Sequence, residues 1–483
     1  MHRSTHRVAK NTIAQFAARG LEGATNFVVT ILLARILGVG PLGTFAFLII
    51  YASLFIFLGT FGLNLLMARD VARRRDQARR YLANALGMAL PLAAVIFALQ
   101  VGIIRLVSSE PLAQVGVYLA AAFAVFHSWE LLFVGTFYAL ERMELETIGI
   151  FVEKALLFSA VFALLFTGGG ALAVLAAFAA AKAFVVLFYV VLSWRLIGPP
   201  LPAADIAMWR RLAAQAWPFS LNILWTAVSF RIHIVLLGLL ASQQAAGYFR
   251  AGSVLALSLP IFASGLNNAL LPLMARAHPD RPESFRFGLE RSFTVLSLLG
   301  LPMAAGLIAL GGPLVRLFYG ADFAAAVLVF QLMGATVPLK FATNTIGVAL
   351  TAADRQPQRT LAVGIGAGIS VVLSVALIPA LAHTGAAIAA VAGDLAILAL
   401  VYGYLRRAGY PFSLLGHSAR PAVAAAVMGV AVWWMRGIGV LLVIPAGMGI
   451  YAAAALAVGA MRRSDIEWLR AALRGAPDDP EAE

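Results

Sequence analysis

The sequence LLARILGVGPLGTFAF, residues 32–47, contains Gly38, Gly40 and Gly43 in the spacing G-x-G-x-x-G. After a β-strand, that spacing is typical of a turn that holds a dinucleotide pyrophosphate at a helix N-terminus. Here long apolar runs flank the glycines, and no acidic residue follows about twenty positions on to hold a ribose. We therefore predict a hairpin between two helices, in which Gly38 ends the first helix. Gly40-Pro41 would turn the chain, and Gly43 would allow close packing where the second helix begins.

The composition predicts that lipid is the solvent of this chain. Hydrophobic residues make up 62% of the 483 residues and charged residues 12%, whereas soluble domains are about half apolar and about a quarter charged. The net charge of +14 comes mostly from arginines in short loops, which indicates membrane orientation and contact with anionic headgroups, not nucleic-acid binding. The chain contains no cysteine, which excludes disulfides and thiolate metal sites.

Apolar runs of about 20 residues, the length that spans a bilayer, predict an all-α polytopic membrane protein with fourteen transmembrane helices. The runs lie near 11–37, 42–66, 81–106, 112–140, 148–167, 171–195, 212–240, 245–273, 291–311, 323–351, 360–380, 384–406, 420–436 and 438–461. Lys and Arg are concentrated in loops after even-numbered helices, such as 68–80 and 275–291. Loops after odd-numbered helices, such as 241–247 and 382–385, contain neither. The positive-inside rule therefore places both termini in the cytoplasm.

A repeat links the first hairpin to the seventh and eighth helices. GTFAF (43–47) and FGLNLLMARD (61–70) correspond to GYFRA (247–251) and SGLNNALLPLMARA (264–277). Because six helices separate the copies, the repeat is parallel and predicts two pseudo-symmetric six-helix lobes around a central cavity. The predicted segments are an N-terminal lobe (1–200), a C-terminal lobe (201–407), two further helices (408–462) and a cytoplasmic tail (463–483).

Polar side chains form a stripe on each of the two helices that open the repeats. Helix 1 has Arg19, Glu22 and Asn26, and helix 7 has Asn222, Thr226 and His233, all at helical spacing. We interpret both stripes as cavity lining. The alternative is that Arg19 and Glu22 neutralise each other in helix packing.

Further charged and polar residues lie within predicted spans, where they usually serve function. Outside the two stripes these residues are His127, Glu130, Glu153, Lys154, Lys182, Arg231, Arg250, Lys340, Asn344 and Asp394. Basic residues such as Arg250 and Lys340, with Asn344 beside Lys340, predict a cavity for an anionic substrate, and phosphate suits Arg and Lys. For coupling to an ion, the candidates are the carboxylates of Glu22, Glu130, Glu153 and Asp394.

The sequence lacks the common catalytic motifs. The sequence contains no G-x-x-x-x-G-K-[ST] phosphate loop, no H-E-x-x-H and no G-x-S-x-G. We therefore expect a protein that is not an enzyme and needs no cofactor or metal.

The opening hairpin of the chain resembles that of a known family. The stretch 32–47 with FGLNLLMARDVAR (61–73) resembles the opening of Wzx-type flippases, the polysaccharide-biosynthesis branch of the multidrug/oligosaccharidyl-lipid/polysaccharide (MOP) exporter superfamily. The family pattern A-R-x-L-G-x-x-x-aromatic-G is matched by Ala34, Arg35, Leu37, Gly38 and Gly43, with Leu42 in place of the aromatic residue. The segment 236–255 is similar to the family's helix 7–8 hairpin, although Arg231 and His233 stand where an acidic residue is common.

The resemblance implies translocation of an undecaprenyl-diphosphate-linked oligosaccharide from the cytoplasmic to the outer leaflet of the bacterial plasma (inner) membrane by alternating access. It also implies a polysaccharide polymerase as a partner. Two members of the same superfamily remain as alternatives, a lipid II flippase and an ion-coupled multidrug antiporter. A non-transporting scaffold or a membrane polymerase is the alternative from another class.

Overall fold

The computed structural model describes residues 2–107 and 111–460, and the described residues form helices joined by short turns. The α-helices are α1 (His2–Leu37), α2 (Val39–Leu54), α3 (Ile56–Thr60), α4 (Leu63–Arg73), α5 (Ala78–Val107), α6 (Pro111–Ala139), α7 (Met143–Phe166), α8 (Ala171–Ile197), α9 (Ile206–Leu240), α10 (Gln243–Ser258), α11 (Pro260–Ala277), α12 (Pro282–Ala309), α13 (Gly311–Tyr319), α14 (Ala326–Ala352), α15 (Gln356–Arg407), α16 (Leu414–Met435) and α17 (Val440–Ala457). The predicted tail at 463–483 lies outside the described residues.

The described residues include twelve candidate membrane spans, each long and apolar enough to cross a bilayer. One of them, α15, has 52 residues and leaves helical geometry at Ala382, inside the predicted loop 382–385, so it contains two spans. With α9, whose 35 residues exceed the spanning length, these helices account for the fourteen predicted ones. The chain is a multi-pass membrane protein.

The opening hairpin is tighter than the sequence suggested. Gly38 ends α1 with φ of 84°, as predicted, because glycine adopts this conformation without a Cβ clash. The prediction that Gly40-Pro41 turn the chain is wrong. Helix α2 begins at Val39, so Pro41 lies in its first turn, where a missing N–H costs no helical hydrogen bond.

The close approach predicted for Gly43 is confirmed. A Cβ on Gly43 would lie 1.6 Å from the carbonyl oxygen of Gln243, the first residue of α10. A Cβ on Gly247, its mate in the repeat, would lie 2.3 Å from the carbonyl oxygen of Val39. Each glycine therefore lets its hairpin contact the backbone of the other.

Several boundaries differ from the predicted ones where charged sequence forms helix. The segment 68–80 is helical up to Arg73, and α12 begins at Pro282 although we predicted a loop up to residue 291. Proline is favoured in the first helical turn, so the arginine-rich segment extends α12. The short helix α13 was not predicted.

The first compact unit comprises Met1–Gly247. It extends beyond the predicted lobe boundary at residue 200 because α9 packs against α2 and α4. A Cβ on Gly62 would lie 2.5 Å from the carbonyl oxygen of Ala216, and Ser220 Oγ donates to the carbonyl of Phe57 at 3.0 Å. The lobe boundary remains a prediction from the repeat, since compact units reflect packing and not repeat ancestry.

At its N-terminal end, α9 begins with a capped turn. The Asp205 carboxylate accepts from Met208 N at 3.0 Å and from Arg80 Nη2 at 3.1 Å. The backbone hydrogen bond from Met208, followed by the hydrogen bond from Arg80, lowers the pKa of Asp205 below its ordinary value. The cap fixes the point at which the chain enters α9.

The second compact unit comprises Tyr248–Glu483. Within it α14 packs against α11, α12 and α15, and α12 packs against α16. Tyr451 of α17 donates to the carbonyl of Leu298 in α12 at 2.8 Å, which attaches the last two helices to this unit. Trp434 and Leu441 remain 77% and 80% exposed, as expected of residues that face lipid.

Candidate functional site

Ionisable side chains of α6, α7 and α8 meet inside the first unit. Lys182 Nζ of α8 donates to Glu130 Oε2 of α6 at 2.6 Å and to Glu153 Oε2 of α7 at 2.8 Å. One ammonium group therefore links three helices. We call this cluster, with His127 and Lys154, the α6–α8 ion network.

The remaining members extend the network on both sides of Lys182. Lys154 Nζ donates to Glu153 Oε1 at 2.9 Å, and His127 Nδ1 lies 2.8 Å from Glu130 Oε2. Glu130, Glu153, Lys154 and Lys182 are at most 7% exposed, whereas the His127 side chain is 26% exposed. With His127 neutral, two ammonium groups balance two carboxylates, which is the condition under which charges tolerate burial.

A second polar cluster lies next to the network, toward the N-terminal end of α7. Tyr138 Oη donates to Glu146 Oε2 at 2.5 Å, and Tyr189 Oη contacts the carbonyl of Glu146 at 3.4 Å. Glu146 is only 6% exposed. Polar groups thus continue from the α6–α8 ion network toward the C-terminal end of α6 and the N-terminal end of α7.

The second unit contains its own buried ion pair. Lys340 Nζ of α14 lies 2.9 Å from Asp394 Oδ1 and 2.7 Å from Asp394 Oδ2 of α15. The two side chains are 11% and 16% exposed. A lysine proposed for substrate and a carboxylate proposed for ion coupling therefore neutralise each other here.

One turn along α14, Asn344 belongs to a neutral hydrogen-bond network. Asn267 Nδ2 of α11 donates to Asn344 Oδ1 at 2.7 Å and to Thr345 Oγ1 at 3.3 Å. Ser292 Oγ of α12 donates to Asn267 Oδ1 at 2.9 Å. Asn267 belongs to the G-L-N segment of the repeat, so this repeated motif supplies a buried polar junction.

The other predicted site residues lie in separate places. Glu22 is half-buried on α1 and interacts electrostatically with Arg231 of α9. The carbonyl of Asn26 accepts from Thr30 Oγ1 at 2.7 Å, and His233 is 4% exposed. Arg250, half-buried on α10, lies near Tyr319. The side chains of Arg19, Asn222 and Thr226 lie outside the described part of the structure.

The members of the α6–α8 ion network were predicted from the sequence as separate candidates, and the ion pairs between them were not predicted. The available signal was their similar depth, since Glu130, Glu153 and Lys182 lie well inside α6, α7 and α8. Alanines surround Lys182 in the sequence AAAKAF (179–184), and small neighbours let α8 approach the other helices closely. Among the described residues there is no group of His, Asp and Glu that could hold a metal ion.

The described helices form a multi-pass fold that carries buried, charge-balanced clusters, and this fold matches solved structures of MOP superfamily transporters. The fold matches the lipid II flippase MurJ in an inward closed conformation, with a TM-score of 0.77, 13% identity and coverage of 92% of this chain and 97% of that one. It matches an inward-facing multidrug resistance MATE family transporter of the MOP superfamily, with a TM-score of 0.66, 14% identity and coverage of 82% and 98%. A MOP superfamily transporter from Pyrococcus furiosus matches with a TM-score of 0.54, 12% identity and coverage of 89% and 96%.

Sequence comparison gives the family. Residues 8–278, more than half of the chain, match the model of the polysaccharide biosynthesis protein family. The chain belongs to that family. No curated protein matches the sequence significantly.

Proposed function

We propose that this protein is a flippase that moves an undecaprenyl-diphosphate-linked oligosaccharide from the cytoplasmic to the outer leaflet of the bacterial plasma membrane. The observation that carries the proposal is the family match over residues 8–278, supported by a fold that covers nearly all of MurJ. Both termini would be cytoplasmic, and a polysaccharide polymerase would use the translocated product. The protein would carry out no covalent chemistry.

The proposed substrate suits the basic residues predicted for the site. A diphosphate carries oxyanions that Arg and Lys bind by charge-assisted hydrogen bonds, and we assign this role to Arg19, Arg250 and Lys340. Because Lys340 is held by Asp394, binding of the diphosphate would exchange one anionic partner for another. Asn26, Asn222, Thr226, His233 and Asn344 would supply neutral hydrogen bonds to the glycan. The prenyl tail would stay in lipid, which avoids the cost of exposing its apolar surface to water, about 0.8 kcal/mol per CH₂.

Reconstitution tests the proposal directly. Purified protein in proteoliposomes with a lipid-linked oligosaccharide is assayed for exposure of the glycan in each leaflet. Wild-type protein should accelerate translocation, and Arg19→Ala and Lys340→Ala should each slow it by about tenfold or more, the effect of one lost charge-assisted contact. Arg436→Ala, in the turn after α16, is the matched control and should leave the rate unchanged. Full activity in both Arg19→Ala and Lys340→Ala would show that the basic residues do not bind the substrate.

The fold also favours a second candidate, a lipid II flippase, because the match to MurJ covers 97% of that chain. The same vesicles loaded with lipid II instead of the lipid-linked oligosaccharide separate the two candidates. Rhodamine 6G, which appears in a complex with another structural match, the multidrug transporter DinF-BH, tests the antiporter alternative. Transport of lipid II or of the dye, without transport of the oligosaccharide, would assign the protein to the corresponding alternative.

A further inference from the structure

The carboxylates that would couple transport to an ion already have internal cations. Glu130 and Glu153 share the ammonium of Lys182, Glu153 also accepts from Lys154, and Asp394 accepts from Lys340. All of these contacts are 2.9 Å or shorter. A sodium ion placed on such a carboxylate would lie within a few ångströms of an ammonium group, and the two cations would repel each other in a medium of low dielectric constant. These pairs therefore oppose sodium binding.

His127 is the member of the α6–α8 ion network that can accept a charge near neutral pH. Glu130, ionised by its contact with Lys182, only accepts hydrogen bonds, so the proton between His127 Nδ1 and Glu130 Oε2 belongs to the imidazole. Nε2 then remains as the atom that takes up a second proton. The His127 side chain is 26% exposed, whereas the other four side chains are at most 8% exposed, so His127 is the least buried member of the network.

The charged and titratable groups around His127 come from the described helices that pack against α6. Helices α2, α3, α4 and α5 also pack against α6. Their described charged residues lie at helix ends, not at the depth of the network, and these residues are Arg69, Asp70, Arg73, Arg79, Arg80 and Arg105. From α7 and α8 the titratable groups are Glu144, Glu146, Glu153, Lys154, Lys182, Tyr189 and Arg195, and α6 itself adds Tyr118, Glu130 and Tyr138.

We infer that His127 is the proton-binding site of this transporter and that its protonation loosens the link between α6 and α8. The inference rests on the proposed transport function and specifies its coupling ion. Glu130 has two partners on the same oxygen, Lys182 from α8 and His127 from its own helix. A proton on Nε2 turns the His127 contact into a full ion pair within α6, and the network then carries one positive charge in excess. Repulsion by the imidazolium weakens the hold of Glu130 on Lys182, which keeps its second acceptor, Glu153.

Transport as a function of pH is the first test. Translocation of the lipid-linked oligosaccharide is measured in proteoliposomes between about pH 5 and pH 8, the range in which histidine changes charge, with sodium or with choline as the cation. We expect the wild-type rate to change by about tenfold across this range, because protonation of His127 weakens the contact between Glu130 and Lys182. It should be equal in sodium and choline. His127→Gln keeps a hydrogen bond to Glu130 but cannot be protonated, and its rate should not change with pH.

His417→Gln is the matched control, because His417 also lies beside a glutamate, with Nε2 3.5 Å from Glu290 Oε2, but at the cytoplasmic end of α16. It should retain the wild-type pH profile. A sodium requirement, or an unchanged pH profile in His127→Gln, would overturn the inference.

A second measurement does not depend on transport. The natural chain has no cysteine, so Val115→Cys on α6 and Leu187→Cys on α8, which are 58% and 61% exposed, take spin labels at these two positions alone. The distance distribution between the labels should change between pH 5 and pH 8 and should stay constant when His127→Gln is added. If the wild-type protein moves no oligosaccharide but the distance still responds to pH through His127, the proposed substrate fails and the proton site stands. A distance independent of pH would refute the proton site.

Discussion

Replacement of Lys182 by methionine should destabilise the first unit by roughly 3–5 kcal/mol, the usual cost of removing one partner of a buried ion pair. Lys182 Nζ lies 2.6 Å from Glu130 and 2.8 Å from Glu153. With an effective dielectric constant of about 20, each contact is worth about 6 kcal/mol of Coulomb energy before desolvation. Methionine fills nearly the same volume, so the loss reflects the carboxylates that remain buried. Glu153 keeps Lys154, whereas Glu130 loses its only lysine.

The free energy of unfolding is measured by chemical denaturation of the purified protein in mixed micelles. Lys182→Met is compared with the double variant Lys182→Met/Glu130→Gln, in which one positive and one negative charge are removed together and the Glu153–Lys154 pair remains balanced. The double variant should recover most of the lost stability, because a neutral buried pair can replace an ion pair at little cost. A loss below about 1 kcal/mol in Lys182→Met would refute the reasoning. A double variant less stable than Lys182→Met would refute it as well.

The other predictions concern packing, the second ion pair and pH. Gly43→Ala should lower the free energy of unfolding by about 1–3 kcal/mol or more, since its Cβ would meet a backbone oxygen at 1.6 Å. Gly40→Ala, whose Cβ would meet nothing within 4 Å, is the control. Equal thermal unfolding curves for the two variants would contradict the packing argument. Asp394→Asn should lower the unfolding temperature because it leaves the Lys340 ammonium buried without its carboxylate. Addition of Lys340→Met should restore the unfolding temperature. An unfolding temperature that stays low in the double variant would contradict the ion pair. The pKa of Asp205 is lowered in the native state, so its contribution to stability is present above the ordinary Asp pKa of about 3.9 and is lost as the pH falls through the lower native value. The stability of Asp205→Asn should therefore fall less than that of the wild type as the pH is lowered below about 4. An identical fall in the two proteins would disprove this assignment.

The hydrophobic pattern of the chain was sufficient to predict the all-α multi-pass class and the positions of most spans. In lipid, every span must satisfy its own backbone, so apolar runs of spanning length become helices whatever packs around them. The predicted break at 382–385 coincides with the kink of α15 at Ala382. The boundaries that failed, at Gly40-Pro41 and before α12, lie where helices continue through proline or arginine-rich sequence, which hydropathy alone assigns to loops.

The partners of the buried charges depend on the tertiary structure. Helices α6, α7 and α8 are apolar on nearly all sides, because lipid and neighbouring helices are equally apolar surroundings, so periodicity gives no sign of which face meets which helix. Only the rotation and depth of the packed helices place Lys182 between Glu130 and Glu153, and Lys340 against Asp394. The sequence by itself determined that these charges lie in the membrane and that the chain opens with a family hairpin. The tertiary structure decided that the carboxylates are neutralised by lysines, because an ion pair forms at distances below 3 Å that no spacing along separate helices can specify.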